Sequence, residues 1–437
     1  MSLKEYNLKK LLVVIEFFFI AFIVIQPLLD LVAYFGTDLS LVFRVFAMAI
    51  GYVYLLIYPN QKIRRYATIY IIIVGIFMVL NTALNYFLKD PYFLVQEVTY
   101  AIKIIYVIEM LLVYTAVFLS IKKRMDWEKT IQRAIFFNLS VIGVVMLLAT
   151  ITDTGNRSYG TAVKQGHSGW FYSANDLSAI LAISFGVMLL YLLQAKSKKW
   201  LYVPFLLLAA WAMMTVGTKV GLGALIIGLV AALFLTIIRL FLKKGNWHNP
   251  ALIVLTLILS LAYIPYSAIG NNIGITFFQQ TESHSTDSKE KTSTIAQQDM
   301  TYKVMSGREL FLKNVVSYYN EAPLLQKIFG MGPGGNYKEK LKLIEMDFLD
   351  WFYGYGPVGF LLLMLPLLFF FVMILKKMFQ NVRLVFTPSF FMVALSLVLA
   401  LGIASVAGHI LLNPASGIYF AILVGYLYTI SVAPSEN

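Results

Sequence analysis

Apolar and polar residues follow one another in long blocks along this chain. Apolar stretches of about 20 residues recur over most of the sequence, and each is long enough to cross roughly 30 Å of hydrocarbon. A transmembrane β-barrel is excluded, because its strands would alternate over about ten residues. The pattern predicts an all-α, polytopic membrane protein, a single integral membrane domain over residues 1–437. About twelve spans are predicted, at residues 11–35, 40–58, 66–88, 98–120, 131–151, 175–194, 200–217, 220–242, 250–269, 352–375, 385–407 and 413–431.

Short basic clusters separate these spans and predict their orientation. A cytoplasmic N-terminus places every cluster on the cytoplasmic side, as the positive-inside rule requires, and leaves the C-terminus there too. The clusters contain Lys62, Arg64, Arg65, Lys122, Lys123, Arg124, Lys196, Lys198, Lys199, Lys243, Lys244, Lys376 and Lys377. The net charge of +13 is therefore interpreted as orientation charge, and no nucleic-acid partner is predicted.

Cysteine and histidine usage limits the chemistry. The chain has no cysteine, which excludes disulfides, thiolate metal sites and cysteine nucleophiles. Its four histidines are not at metal-like spacing, so neither a metal nor a cofactor is predicted.

One long polar interruption, residues 270–350, lies between the ninth and tenth predicted spans and faces outward in this topology. Residues 281–299 are polar and predict a mobile linker. Ser306 and Glu309 fit a capping box at the start of a helix. The interruption is thus predicted to be a large extracytoplasmic loop that contains short helices.

The second half of this loop has its own pattern. Gly330 to Gly335 reads GMGPGG and predicts a tight turn. Apolar residues at helical spacing predict a second helix over about Tyr337 to Tyr353. A smaller outward loop is predicted at Thr152–Ala174.

Three charged residues near the outer surface are candidates for substrate contact. Arg308 could clamp a phosphate with its planar fork of donors, or it is a solvated loop arginine. Glu309 fits a capping residue best. Lys219 lies between two spans on the outer side, against the positive-inside trend, so it has a partner or substrate there, or it snorkels.

The outer end of the tenth span carries an acidic group. A carboxylate there could accept a proton from an attacking hydroxyl, or the group is a solvated helix end. Asp347 is the favoured base among Glu345, Asp347 and Asp350, and Glu345 is a candidate for substrate binding. His409 stands at the outer end of the eleventh span, either as a site residue or hydrogen-bonded between helices.

The loop at 152–174 adds Arg157 and His167 as binding candidates. It runs into Asn175, a further binding candidate, which with Asp176 is a plausible N-cap pair for the sixth span. Its aromatic residues suit a membrane interface, or they stack on sugar rings. No chemistry is assigned to the ionisable residues inside the spans, which are expected to face the bundle interior: Glu16, Asp30, Lys103 and Glu109.

The position of these charges favours a reaction on a pre-activated substrate, because the outer face of a cytoplasmic membrane has no ATP or nucleotide sugar. A lipid diphosphate reachable from the bilayer is such a substrate, and its departure needs cationic stabilisation. Arg308, Lys219 and Arg157 are the available cations.

Five sequence segments together resemble a known family. They are GWFYSAND at 169–176, VGTKVGLG at 216–223, SGRELF at 306–311, IFGMGPGG at 328–335 and EMDFLDWFYGYGPVG at 345–359. Their order and placement resemble the O-antigen ligase and polymerase superfamily of bacterial surface-polysaccharide enzymes. The resemblance covers most of residues 150–430, whereas the first five spans match only in hydropathy.

The resemblance implies a GT-C-like membrane glycosyltransferase of the bacterial cytoplasmic membrane. It would pass an undecaprenyl-diphosphate-linked oligosaccharide to a glycan acceptor without a metal, beside other proteins of a polysaccharide-assembly pathway. Arg308 matches the family's loop arginine, and Lys219 replaces a basic residue that is often arginine. Ligases typically carry a histidine where this chain has Glu345, Met346 and Asp347.

The absence of this histidine favours a polymerase that joins lipid-linked repeat units. A ligase that moves finished glycan onto a surface acceptor is the close alternative. A lipid-linked oligosaccharide flippase is the alternative from another class, but transporters show internal repeats and binding groups near the midplane. Here the distinctive charges cluster at the outer rim.

Overall fold

The structure is a computed structural model that describes residues 3–160, 163–195, 199–274, 308–337 and 342–432. Within these ranges the chain forms sixteen α-helices and three short 3-10 helices, and the predicted all-α class is confirmed. The α-helices are α1 Leu3–Val24, α2 Gln26–Tyr34, α3 Leu39–Ile57, α4 Gln61–Leu88, α5 Leu94–Ile121, α6 Trp127–Ile151, α7 Ala174–Gln194, α8 Val203–Thr215, α9 Lys219–Phe241, α10 His248–Tyr263, α11 Ala268–Gly274, α12 Arg308–Glu321, α13 Leu324–Phe329, α14 Asp347–Gln380, α15 Pro388–Val406 and α16 Pro414–Val432. The 3-10 helices are Lys199–Leu201, Ile264–Tyr266 and Val382–Phe386.

The number of spans differs from the twelve predicted. Ten helices of the described chain are long and apolar enough to cross a membrane, or eleven if a bent pair counts as one span. That pair is α1 and α2, which meet at 54° where a single span over 11–35 was predicted. The predicted span at 200–217 contains α8, whose 13 residues rise only about 20 Å and fall short of the hydrocarbon thickness.

Burial separates the inner helices of the bundle from the outer ones. In the most apolar stretches of α7 and α16, 94% and 89% of residues are buried, and α5 follows at 78%. The corresponding share is only 22% in α4, α10 and α14, whose apolar residues lie mostly on the surface of the bundle. A helix that is apolar all round belongs in a core, so α5, α7 and α16 form the centre of the protein.

The GMGPGG segment is a turn, as predicted, and it docks on a break in α14. Gly356 has φ 65° and ψ 177°, outside the helical region. Backbone hydrogen bonds run from Met331 N to Tyr353 O (3.0 Å) and from Gly332 N to Gly354 O (2.8 Å). The glycines let two backbones approach closely, because a Cβ on Gly356 would lie 2.3 Å from the carbonyl oxygen of Ile328.

The C-terminal end of α4 also holds this turn. Asn81 Nδ2 donates to the carbonyl of Phe329 (2.6 Å), and Asn85 Nδ2 donates to that of Gly330 (3.2 Å). A buried ion pair between Lys89 and Glu97 lies under the turn, with Nζ and Oε1 2.6 Å apart. Buried polar groups in a bundle need such partners, so the loop is fixed to the spans by specific bonds.

The predicted helix over Tyr337–Tyr353 is wrong in its first half. Residues 342–346 are not helical, and the helix begins at Asp347. The reason is Asp350, whose side chain accepts from the backbone N–H groups of Ile344 (2.8 Å) and Met346 (3.1 Å), at distances typical of hydrogen bonds. These bonds hold the preceding segment in a turn. Ser306 and the linker 281–299 lie outside the described residues.

Candidate active site

His409 lies in the connection between α15 and α16 and joins three distant parts of the chain. Its Nδ1 is 3.1 Å from Asp176 Oδ1, at the start of α7. Its Nε2 is 3.7 Å from Glu345 Oε2, just before α14, and 3.4 Å from Asn175 Nδ2. The structure thus brings together three residues that were predicted separately, His409, Glu345 and Asn175.

Glu345 is surrounded by positive charge. Its Oε2 is 3.4 Å from Arg308 NH2 at the start of α12, and its Oε1 is 2.6 Å from Lys342 Nζ. With His409 this makes three cationic side chains around one carboxylate. The Glu345 side chain is 23% exposed and that of His409 25%, so solvent reaches the cluster. We call Arg308, Lys342, Glu345, His409 and Asp176 the ionic network.

The network is charged at neutral pH. Burial disfavours the imidazolium of His409, but hydrogen bonds and charges from Asp176 and Glu345 outweigh it and raise the pKa to about 10. Burial disfavours the carboxylate of Glu345, but His409 and Lys342 outweigh it and lower its pKa to about 2. His409 is therefore a cation here, and not a general base at physiological pH.

Asp347, the predicted base, is fully buried at 0% exposure. Its Oδ1 accepts from the backbone N–H of His409 (3.0 Å), and its Oδ2 accepts from those of Ile410 (2.8 Å) and Leu411 (2.7 Å). Hydrogen bonds between a carboxylate and backbone donors are among the stronger ones. The geometry fits an anchor for the His409 loop, and a catalytic role for Asp347 stays a prediction.

The second group of predicted residues lies on the 152–174 loop. His167 Nδ1 accepts from the backbone N–H of Gly169 (3.1 Å), so its Nε2 carries the proton and faces Thr150 Oγ1 at 2.9 Å. Burial lowers its pKa, which keeps the ring neutral. Arg157 is exposed and pairs with His167 through the backbone. In this arrangement His167 ties the loop together.

Lys219 is the first residue of α9, directly after its N-cap Thr218, whose side chain accepts from Gly221 N. The hydroxyl of Thr218 also bonds to that of Ser178 in α7. Ser178 follows Asp176 by two residues, so the first turns of α7 connect Lys219 to the ionic network. The two groups of candidates therefore lie on neighbouring helix ends.

Two local expectations are changed. The N-cap of α7 is Ser173, which accepts from Asp176 N at 3.3 Å, and not the predicted pair Asn175 and Asp176. A serine in this position leaves the Asp176 side chain available for His409. Glu309 is the second residue of α12, and its Oε2 is buried with no hydrogen-bond partner in the described parts of the chain.

An apolar cavity of about 240 Å³ lies between α4 and α13. Asn81 is the only polar residue among those that line it: Phe77, Leu80, Asn81, Leu84, Leu325 and Phe329. It lacks the acid, base and cationic groups that group transfer needs. No group of three or more metal-ligating side chains is found in the described ranges. The ionic network is therefore the best candidate for the site of chemistry.

A comparison with family models assigns the chain. The model for O-antigen ligase like membrane proteins matches residues 14–431. The chain belongs to this family. No curated protein matches it.

The family match extends the resemblance seen in the sequence. From residue 14 onward it covers the first five predicted spans, which resembled the superfamily only in hydropathy, and it includes every residue of the ionic network. The match assigns a class of membrane glycan-transferring proteins and makes no distinction between ligase and polymerase.

Three residues for which the sequence predicted no part in binding or catalysis lie in or beside the site. Asp176 pairs with His409, Lys342 pairs with Glu345, and Lys103 of α5 is attracted electrostatically to Asp176. Lys103 could have been found from its sequence, because a charge inside an apolar span marks a functional position by default. Lys342 could not, since nothing separates it from the neighbouring lysines Lys338 and Lys340.

Proposed function

We propose that this protein is a membrane glycosyltransferase that polymerises undecaprenyl-diphosphate-linked repeat units of a bacterial surface polysaccharide. The observation that carries the proposal is the arrangement of Arg308, Lys342 and His409 around the Glu345 carboxylate. Three cations that converge on one carboxylate form an anion site of the kind a departing diphosphate needs. Family membership supports the class of reaction.

In this proposal the diphosphate of the donor competes with Glu345 for the cations. Arg308 offers a planar fork of N–H donors, and the imidazolium of His409 adds a second charged donor. Asp176 holds His409 in its charged form and orients the ring, since it occupies Nδ1. Asp347 keeps the backbone of His409 in place.

Displacement of Glu345 also provides a base. Once the diphosphate takes the cations, the carboxylate loses the charges that lower its pKa, and its affinity for a proton rises. Glu345 then accepts the proton of the acceptor hydroxyl while the acceptor oxygen bonds to the anomeric carbon. The bond from that carbon to the diphosphate oxygen breaks, and its electron pair leaves on undecaprenyl diphosphate.

The site is proposed to face the outside of the cytoplasmic membrane, with both chain termini in the cytoplasm. The basic clusters between spans support this orientation. The ionic network is consistent with it, because Asp176 is in the first turn of α7 and Glu345 directly precedes α14. Charges at one end of the bundle suit an enzyme at the rim better than a flippase, which binds near the midplane.

One observation favours the ligase alternative. Ligases of the superfamily typically carry a histidine near the position of Glu345, and this chain has none there. The structure places the His409 ring 3.7 Å from Glu345, so an imidazole reaches the same region from another segment. The two functions differ in the acceptor. It is a repeat unit for a polymerase and a finished surface molecule for a ligase.

The test is the glycan made by cells with Arg308→Ala or Glu345→Gln, with Lys376→Ala as the control. Lys376 is exposed near the other end of α14. If the protein is a polymerase, both site variants leave single repeat units on the surface acceptor. A ligase defect would leave full-length glycan on the lipid carrier. Normal glycan in both variants would contradict the assigned site.

A further inference from the structure

Lys103 is a lysine inside a membrane span that has no short-range ion pair. It lies in the third turn of α5 and is half-buried, with Nζ 4.9 Å from the centre of the Tyr100 ring. None of the described carboxylates is within 4 Å of its Nζ. A charge held in an apolar span is costly unless it serves a partner or a substrate.

Packing places Lys103 beside the ionic network. Val107, one turn further along α5 on the same face, lies against Gly417 of α16, where a Cβ would meet its side chain at 2.4 Å. The same Cβ would lie 2.9 Å from the carbonyl of Ile410, next to His409. Lys103 is one turn closer than Val107 to the end of α5 that begins at Leu94, and therefore lies level with the His409 loop.

Charge balance leaves Lys103 unsatisfied by the protein. Asp176 attracts Lys103 and Arg44 repels it, and the Asp176 carboxylate already holds His409 at 3.1 Å. On the other side of the network, Glu345 is shared by Arg308 and Lys342. Glu345 thus faces three cations, and Asp176 is shared by His409 and Lys103, so an anion that enters beside Lys103 meets positive charge that the protein compensates only in part.

We propose that Lys103 binds the lipid-proximal phosphate of the substrate's diphosphate from the membrane side, opposite Arg308. This inference rests on the proposed function and adds a second wall to its anion site. Arg308 reaches the diphosphate from the extramembrane helix α12, and Lys103 reaches it from α5 inside the bilayer. The Tyr100 ring supports the ammonium group by a cation–π contact.

The experiment measures binding of undecaprenyl diphosphate and undecaprenyl monophosphate to purified protein in nanodiscs, by native mass spectrometry. The variants are Lys103→Met, which keeps the length of the side chain, and Lys103→Arg, which keeps the charge. Lys376→Met is the control for the loss of one lysine. Loss of a charged hydrogen bond predicts that Lys103→Met weakens diphosphate binding about 10-fold or more. Lys103→Arg should remain close to wild type.

The comparison of the two lipids separates substrate contact from a structural role. A second phosphate contact predicts that the preference of wild type for diphosphate over monophosphate falls in Lys103→Met. Equal weakening for both lipids, or unchanged diphosphate binding, would overturn the inference while wild-type binding still supports the proposed function. If wild type does not bind undecaprenyl diphosphate, the proposed function fails and this inference fails with it.

Discussion

Glu345 and His409 face each other at 3.7 Å, and both have left-handed backbone conformations, with φ of 64° and 68°. Between them Gly408, with φ 66°, lets the chains approach so closely that a Cβ there would lie 2.6 Å from the Glu345 carbonyl oxygen. Non-glycine residues in this region cost of order 1–3 kcal/mol each and are retained at functional sites. Strained backbone at these two positions therefore fixes the direction in which the two side chains point.

The first prediction concerns the pH dependence of transfer. The pKa of His409 is raised to about 10, so its charge and the associated stabilisation are complete below its ordinary value of 6.5 and are lost as pH rises through 10. Asp176→Asn removes the strongest interaction that raises this pKa. We expect the alkaline limb of kcat/KM to move down by at least about one pH unit.

The matched control for this prediction is Asp38→Asn, which removes an exposed carboxylate that has no side-chain capping bond. It should leave the alkaline limb in place. The measurement is kcat/KM for the lipid-linked donor between pH 6 and about 10.5, in nanodiscs at fixed ionic strength. An unchanged limb in Asp176→Asn would mean that His409 does not carry the essential charge.

The second prediction separates an anchoring role of Asp347 from a catalytic one. In the wild type the Asp347 carboxylate accepts from three backbone N–H groups. Asp347→Asn removes its charge, and we expect the free energy of unfolding to fall by about 2–3 kcal/mol. Hydrogen exchange should rise at Ile410 and Leu411, and activity should fall with it. Loss of activity with unchanged stability and exchange would instead identify Asp347 as the base.

These residues show what the sequence could predict. Apolar runs were sufficient for the helices, because the bilayer requires long apolar segments whose backbone groups bond internally. Arg308, Glu345 and His409 were identifiable as ionisable residues in segments predicted to face outward. Their mutual contact was not, because Glu345 and His409 are distant in the sequence and are brought together by packing of the start of α14 against the loop before α16, where Asp347 bonds to a backbone N–H 62 residues away.

The errors of the sequence interpretation have local causes. The predicted helix at Tyr337–Tyr353 relied on apolar spacing, and the Asp350 side chain overrode that spacing with two bonds to the preceding backbone. The single span over 11–35 was interrupted at Ile25, before Pro27, a residue that removes a backbone donor and favours the first turn of a new helix. A hydropathy profile shows neither the hydrogen bonds of the Asp350 side chain nor the angle between α1 and α2.

The third prediction tests the docking of the GMGPGG turn. Gly356→Ala introduces a Cβ at a φ of 65° and 2.3 Å from the Ile328 carbonyl oxygen. We expect a loss of at least about 1–3 kcal/mol in stability and release of the turn. Thermal unfolding in detergent and proteolysis at the exposed Leu324 measure both effects.

Gly402→Ala is the control, because Gly402 is inside α15 with no heavy atom within 4 Å of an added Cβ. It should be neutral or slightly stabilising, since alanine favours a helix over glycine by about 1 kcal/mol. Equal behaviour of the two variants would show that the close approach of Gly356 to the turn does not contribute to stability.

The fourth prediction concerns orientation, and the absence of native cysteine makes it direct to test. Leu324→Cys places a thiol on α13, where the side chain is 70% exposed, and Lys123→Cys places one in the exposed turn after α5. With both termini in the cytoplasm, a membrane-impermeant maleimide should label Leu324→Cys in intact cells. Lys123→Cys should be labelled only after permeabilisation, because its basic cluster is retained inside. The reverse pattern would place the ionic network in the cytoplasm, where nucleotide sugars are available and a lipid-linked donor is no longer required.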